Sequence, residues 1–264
     1  MGEPQVDVIM TVFNCHNTVG QSIESIIKQD YNNWNLIIND DCSIDGTKEI
    51  LSYYEREYTN ISIIYNNENK GIANGLNNCL GHSKGKYIAI MDADDLSLPN
   101  RLKSEVSYLE SHPDISVVGS SMIVFDSHGD RGIRSLPVIL NRDSFLVGSP
   151  FAHPTTMIRR SVINKLGGYS VFKNRALDLD LWFRLYKQGF KGVNLREPLY
   201  KYRETVSDYK RRTFSASLDI SKTFFYGFKE ISIPWYQRWR ALKPIISSLL
   251  PSSLLDIYRK SKLK

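Results

Sequence analysis

Cysteine is scarce in this 264-residue chain: Cys15, Cys42 and Cys79 stand far apart and form no CxxC pair. An odd, dispersed set excludes a disulfide framework and a thiolate zinc site, and it points to free thiols in a reducing compartment. Long apolar runs are also missing. No stretch reaches the roughly 18 apolar residues that cross a bilayer. The opening MGEPQVD lacks the basic-then-apolar pattern of a secretory signal, so none is expected. No GxGxxG follows the first apolar run, which disfavours a Rossmann-type dinucleotide enzyme. No internal repeat or low-complexity tract stands out.

What is present is an ordinary globular composition, 42% hydrophobic and 23% charged, with an uneven charge. Residues 210–264 hold twelve Lys/Arg against three Asp/Glu, a net +9, and the first 209 residues carry −3. A basic tail on a slightly acidic body suggests an anionic partner such as a membrane surface or a nucleic acid.

The first half alternates two periodicities. VDVIMTV (6–12), Leu36–Ile38, ISIIY (61–65) and YIAIM (87–91) read as buried strands. Between them, Val19/Ile23/Ile26/Ile27, Ile50/Leu51/Tyr54 and Ile72/Leu76/Cys79/Leu80 mark helix faces. Strand–helix alternation of this kind predicts βαβ units and a mainly parallel sheet, with ligands outside the carboxyl ends of the strands. The acidic runs 40–45 and 92–95 both follow predicted strands, so they are expected to share one crevice. Farther on, a helix is expected after Pro99 (Leu102, Val106, Leu109), a longer strand at 115–125, and a helix at 178–188. Residues 126–158 hold turn residues and no clear period.

Two runs carry chemistry. Asp92-Ala93-Asp94-Asp95 places three carboxylates in four residues, an arrangement that water or a cation must screen. Mg²⁺ and ions like it take oxygen ligands, commonly one or two carboxylates plus substrate phosphates, so a DxD at a strand end suits a metal–diphosphate site. A solvated acidic turn is the plainer alternative. In Asn39-Asp40-Asp41-Cys42-Ser43-Ile44-Asp45-Gly46-Thr47, Asp45 and Thr47 suit helix capping and Gly46 a turn. The adjacent acids Asp40 and Asp41 exceed what capping needs, and a carboxylate there can accept the imide N–H of uracil.

Taken in order, Thr11-Val12-Phe13-Asn14, the DDxSxDGT run at 40–47, Asn69-Lys70-Gly71 and Asp92–Asp95 resemble the inverting family 2 glycosyltransferases of GT-A fold. So do His153-Pro154-Thr155-Thr156-Met157 with Arg159-Arg160, Gly167-Gly168-Tyr169, and Asp178-Leu179-Asp180-Leu181-Trp182 with Arg184-Leu185 and Gly189. The resemblance covers about residues 6–203. It implies a Rossmann-like, mostly parallel sheet with helices on both faces, within a catalytic domain at 1–205. A nucleotide-binding half would take 1–95 and an acceptor-binding half 96–205, with a C-terminal helical tail at 206–264.

The resemblance also implies roles. Thr11 and Asp41, with Asp40 as the alternative, would hold the uridine, and Asp94 would lie at the diphosphate. Asp92, Asp94 and Asp95 would bind Mg²⁺ or Mn²⁺. Asp178 would be the general base, with Asp180 next in line. His153, Asp180 and Trp182 are candidates for positioning donor or acceptor, against the plainer readings of His153 as a structural hydrogen-bonder and of Trp182 as a packing residue. Leu177 departs from the pattern, which usually has Glu there. The expected reaction is inverting transfer from a nucleotide sugar, with UDP favoured, to a glycan or lipid-linked acceptor in surface-polysaccharide or glycolipid synthesis. A non-catalytic nucleotide-sugar-binding protein of the same fold is the alternative.

The tail interleaves Phe214, Phe224, Phe225, Phe228, Trp235, Tyr236 and Trp239 with its basic residues. That composition suits a membrane-surface helix, or else a helical cap on the domain with a solvated basic face. A cytoplasmic enzyme, peripheral on the inner membrane face, is expected. No nucleic-acid motif accompanies the charge.

Overall fold

The computed structural model describes residues 2–172, 175–205, 213–250 and 263. The first half alternates as the sequence predicts: β1 (Val6–Val12), α1 (Val19–Ile27), β2 (Trp34–Asp40), α2 (Thr47–Glu57), β3 (Ile61–Tyr65), α3 (Ile72–His82) and β4 (Tyr87–Asp92). A two-residue β5 (Leu96–Ser97), α4 (Arg101–Ser111) and the long β6 (Ile115–Asp126) follow. Next come β7 (Gly129–Arg134), α5 (Ser144–Val147), a 3-10 turn (His153–Thr155), β8 (Met157–Arg159), α6 (Arg160–Lys165), α7 (Leu177–Lys187) and β9 (Lys191–Arg203). The C-terminal part holds α8 (Phe214–Glu230), a 3-10 helix (Trp235–Leu242) and α9 (Lys243–Ser248).

The strands join in one sheet of order β3-β2-β1-β4-β8-β6-β9-β5, with β7 paired to β6. The pairings put β1–β4, β6 and β9 in one direction, and β5, β7 and β8 in the other. Both faces are covered. Val6, Val8, Met10 and Val12 of β1 enter one hydrophobic cluster with Ile23, Leu51, Leu102 and Val106 of α1, α2 and α4. Ile9 points the other way, into a cluster with Leu76 of α3, Ile163 of α6 and Leu181 and Trp182 of α7. A strand buried on both faces reads as a continuous apolar run, which makes the first four strands visible in sequence.

The second half hides its strands. β8 is three residues long, too short for a period. β9 was not anticipated. Its sequence, KGVNLREPLYKYR, mixes charge with apolar residues, and its register against β6 shifts near Pro198. The shift breaks the alternation that would reveal a strand.

Over residues 214–243 the tail is part of the core rather than an appendage. Phe224, Phe228, Ile231, Ile233 and Ala241 are buried in the cluster that contains Phe145, Trp182 and Phe183. A Cβ added to Gly227 would lie 2.2 Å from the Phe183 ring, so α8 lies directly against α7. Lys243 Nζ donates to the Leu146 carbonyl at 2.8 Å. The helical-cap reading therefore describes the inner face of this segment. Residues 206–212 and 251–262, which carry much of the basic charge, lie outside the described residues.

Candidate active site

The carboxyl ends of β1, β2 and β4 lie side by side. Thr11 is in register with Asn39 on one side and Asp92 on the other, and Val12 with Asp40. The two acidic runs thus flank β1 at one end of the sheet, where open α/β sheets bind ligands.

The first run is saturated with hydrogen bonds. Asp41 accepts from Asn66 Nδ2 at 2.9 Å, Lys70 N at 2.9 Å and Gly71 N at 2.7 Å. Asp40 is fully buried and accepts from Ser43 N at 3.2 Å. Asp45 takes the Thr47 N–H at 3.1 Å and the His16 N–H at 3.1 Å. Asp41 holds the loop that enters α3, where Gly71 has φ +83° and so a conformation that favours glycine. A carboxylate offers about four acceptor positions, so Asp41 retains capacity for one further donor. Thr11 faces α3, and a Cβ on Gly75 would come within 2.5 Å of Thr11 Cγ2. Thr11 Oγ1 is buried without a hydrogen-bond partner among the described residues.

The second run crowds its carboxylates together. Ligand atoms of Asp92, Asp94 and Asp95 all lie within 4.8 Å of one another. Burial pushes Asp92 up to about 7, and the charges of Asp94 and Asp178 push the same way against Arg101. Burial also raises Asp95 well above its ordinary value, with Asp92 and Asp94 adding to it. Asp95 Oδ1 accepts from Arg203 N at 2.6 Å, while its buried Oδ2 has no hydrogen-bond partner among the described residues. Such a cluster holds protons near neutral pH unless a cation replaces them. Its donors are all hard oxygens, the set that Mg²⁺ and Mn²⁺ take. The cluster therefore fits a divalent ion.

Elements distant in sequence build the rest. Arg101 is fully buried, pairs with Glu105 at 3.3 Å, donates to Ile90 O at 2.9 Å and lies 5.0 Å from the Tyr200 ring centroid. Tyr200 Oη in turn accepts the Asp92 N–H at 3.2 Å. Arg203 Nε donates to Asp94 O at 2.6 Å and its Nη2 to Gln21 Oε1 at 3.0 Å, pinning the acidic turn between β9 and α1. Asp178 lies in the first turn of α7, where the helix dipole favours a negative charge. Its charge acts on Asp92, His153 and Tyr169, so it lies near these groups. His153 Nε2 and Tyr169 Oη share a 2.8 Å hydrogen bond. Burial lowers the His153 pKa against the pull of Asp178, which keeps the imidazole neutral.

Two expected positioning residues are corrected. Trp182 is 0% exposed and packs on Phe151, with ring centroids 5.0 Å apart. No sugar reaches it, because burial on α7's inner face seals the indole. Asp180 pairs with Arg184 at 2.9 Å, and Arg184 also donates to Leu166 O at 2.6 Å and Gly168 O at 2.9 Å. Asp180 thus braces the turn before α7. Arg159 and Arg160, both half-buried, donate to the carbonyls of Ile115, Leu109 and Gly85. Leu177, at the position where Glu is usual, is buried in the core. Sequence reasoning missed Arg101, Tyr200 and Arg203. Tyr169 carried a signal in the Gly-Gly-Tyr run, whereas the β9 residues carried none without the strand.

Residues 7–167 match the model of Glycosyl transferase family 2. The glycosyltransferase-named EpsE of Bacillus subtilis (strain 168) is 42% identical over 98% of this chain and 94% of its own. The Escherichia coli UDP-Glc:alpha-D-GlcNAc-diphosphoundecaprenol beta-1,3-glucosyltransferase WfgD is 26% identical over 81% of this chain and 83% of its own. Among solved structures, S. aureus TarS in complex with UDP-GlcNAc superposes with a TM-score of 0.70 at 17% identity, covering 93% of this chain and 71% of that one. The Pyrobaculum calidifontis mannosyltransferase PcManGT with GDP-Man and Mn²⁺ gives 0.68 at 18% identity, covering 99% and 81%. These two share the fold. With a family match across most of the catalytic elements and a 42% identical relative along nearly its whole length, this chain belongs to glycosyl transferase family 2 and has the GT-A fold.

Proposed function

We propose that this glycosyltransferase is an inverting, divalent-metal-dependent enzyme. It moves a sugar from a UDP-sugar to a hydroxyl of a lipid-linked glycan, in surface-polysaccharide assembly at the inner face of the cytoplasmic membrane. The observation that carries the reading is the clustering of Asp92, Asp94 and Asp95 at the end of β4, with the charge of Asp178 acting on Asp92. The UDP preference draws on the UDP-GlcNAc complex of TarS and the UDP-Glc donor in the name of WfgD. The lipid-linked acceptor draws on the diphosphoundecaprenol in that same name. The metal draws on the cluster's chemistry and on the Mn²⁺ of PcManGT.

Asp92, Asp94 and Asp95 would hold the ion, which when bound supplies Lewis-acid neutralisation of the diphosphate leaving group. Thr11 and Asp41 would take the uridine, with Asp41 accepting the imide N–H in its remaining position. Asp178 removes the proton from the acceptor hydroxyl as its oxygen bonds to the anomeric carbon. The bond from that carbon to the diphosphate oxygen breaks on the opposite face, and the configuration inverts in a single displacement. The neutral His153, fixed by Tyr169, leaves Asp178 as the charged group on the acceptor side of the crevice.

The test is UDP release and sugar transfer across a panel of nucleotide sugars, with Mn²⁺, Mg²⁺ or EDTA, and the product's anomeric configuration read by NMR. Inverted product from a UDP-sugar only with metal is expected. Donor binding by calorimetry without any turnover would establish the non-catalytic alternative instead.

A further inference from the structure

Between residues 231 and 250 the chain carries Arg238, Arg240 and Lys243 and no acid. Within this stretch Trp235, Trp239, Leu242, Ile246 and Leu249 are 82%, 58%, 50%, 52% and 72% exposed. From Trp239 onward they recur at intervals of three, four and three residues, through the end of the 3-10 helix and along α9, the spacing of one helical face; Trp235 opens the 3-10 helix about a third of a turn round from Trp239. The 3-10 helix Trp235–Leu242 runs directly into α9, so the stripe is carried by continuous helical backbone. Its opposite side is anchored. Ala241 and Ile233 are buried in the core, Arg238 Nε donates to Ile233 O at 2.9 Å, and Lys243 is tied to Leu146 O. Isolated exposed apolar residues are normal on a protein surface. A periodic row of them on an anchored element marks an interaction surface.

We infer that this stripe is a docking surface for an anionic lipid leaflet, and that it lies in the interface plane. The inference rests on the membrane-side reading of the acceptor and names the surface that meets the membrane. Charge selects the partner. The 231–250 segment is purely cationic, and residues 251–264 add Arg259, Lys260, Lys262 and Lys264 against Asp256 alone. Each basic group near an anionic leaflet contributes about 1 kcal/mol at most. A second copy of the chain would bring the same positive charge against this face. Trp and Tyr favour the headgroup boundary, where the ring is apolar and its polar edge stays wet. Arg240 lies 5.7 Å from the Trp239 ring centroid, a pairing that lets the aliphatic stem follow the apolar surface while the guanidinium reaches phosphate. No helix among the described residues is long and apolar enough to cross a membrane, so the stripe would lie on the bilayer.

The test uses the full chain with phosphatidylglycerol-containing and pure phosphatidylcholine vesicles, at low and high salt, read by co-sedimentation and tryptophan emission. Trp34 and Trp182 are buried, so a blue shift on adding vesicles reports Trp235 and Trp239. Expected is anionic-vesicle binding that weakens with salt, with a blue shift. The double variant Trp235→Ser/Trp239→Ser should lose about tenfold or more of the binding and all of the shift. Arg240→Glu should weaken only the anionic component. Thermal melting of the double tryptophan variant should match the parent, because both replaced side chains are exposed. UDP release in vesicle-free solution should be unchanged in all of them, which separates this surface from the catalytic reading. Failure of the unaltered chain to bind anionic vesicles at low salt overturns the inference, as does undiminished binding by the double variant. A dimer of the unaltered chain that the double variant dissolves, without vesicle binding, would reassign the stripe to self-association.

Discussion

The acidic runs at 40–45 and 92–95 flank the same strand, yet their environments are opposite. Asp41 is wrapped by three N–H donors, while the half-buried Asp92 and the buried Asp95 lie among like charges and are raised in pKa. The first run spends most of its acceptor capacity on local structure, and Asp41 keeps one position for a further donor. The second sets three carboxylates within 4.8 Å of one another, where burial and like charge favour the protonated or cation-bound form. A count of acids does not separate the two cases, whereas burial and mutual repulsion do.

The largest expected effect lies at Asp178, whose charge acts on Asp92. Asp178→Asn should cut transfer by roughly 10²-fold or more, the usual worth of a general base, with UDP affinity unchanged. Near-normal transfer would remove Asp178 from the role, and Asp180 is a weak successor because Arg184 already holds it.

Stability should divide the runs by sign. Asp41→Ala strips the acceptor from three donors and should cost about 2 kcal/mol, seen as a lower melting temperature. Asp92→Asn removes repulsion from a buried like-charge cluster and should raise the melting temperature of the metal-free protein at pH 8, at the expense of activity. Destabilisation by both variants would erase the contrast.

Metal should matter to one run alone. EDTA, or Asp94→Ala, should weaken UDP binding by about tenfold or more if Asp92, Asp94 and Asp95 hold a divalent ion that offsets the diphosphate charge. The fold lost in Asp41→Ala should be the same with and without Mn²⁺. Calorimetric titrations of UDP decide this.

A further effect is on pH. Asp92 is raised in the folded state from 3.8 to about 7, so the folded protein binds more protons than the unfolded chain across that window. Metal-free stability should therefore fall as pH rises from about 4 to about 7 and then level off. A divalent ion replaces those protons, so the melting-temperature gain on adding Mn²⁺ should be larger at pH 8 than at pH 6. Glu105, raised by burial to about 7, titrates in the same window, so Glu105→Gln serves to isolate the cluster.

The motifs at 40–47, 92–95 and 178–185, the four parallel strands and the first helices were all legible in the residues. Each is local: a strand buried on both faces, a stripe of side chains on one helix face, acids at a strand end. Trp182 and Asp180 show where that legibility stops, because the same helix turn offers side chains to the crevice, the core and a neighbouring loop. Only packing determines which goes where. The tail shows the same limit. Its aromatics look alike in sequence, and α8 divides them into Phe224 and Phe228, which enter the core, and Phe214 and Phe225, which face solvent.

By itself, the sequence determined the family, the parallel half of the sheet and the acids at its open end, because near-neighbour spacing encodes them. The tertiary structure decided which of those acids are satisfied. The donors that quiet Asp41 come from residues 66–71, the charge beneath Asp92 from Arg101, and the clamp on the Asp94–Asp95 turn from Arg203, more than a hundred residues farther along the chain. Hydrogen bonding and burial depend on distances in space, and no periodicity along the chain records them.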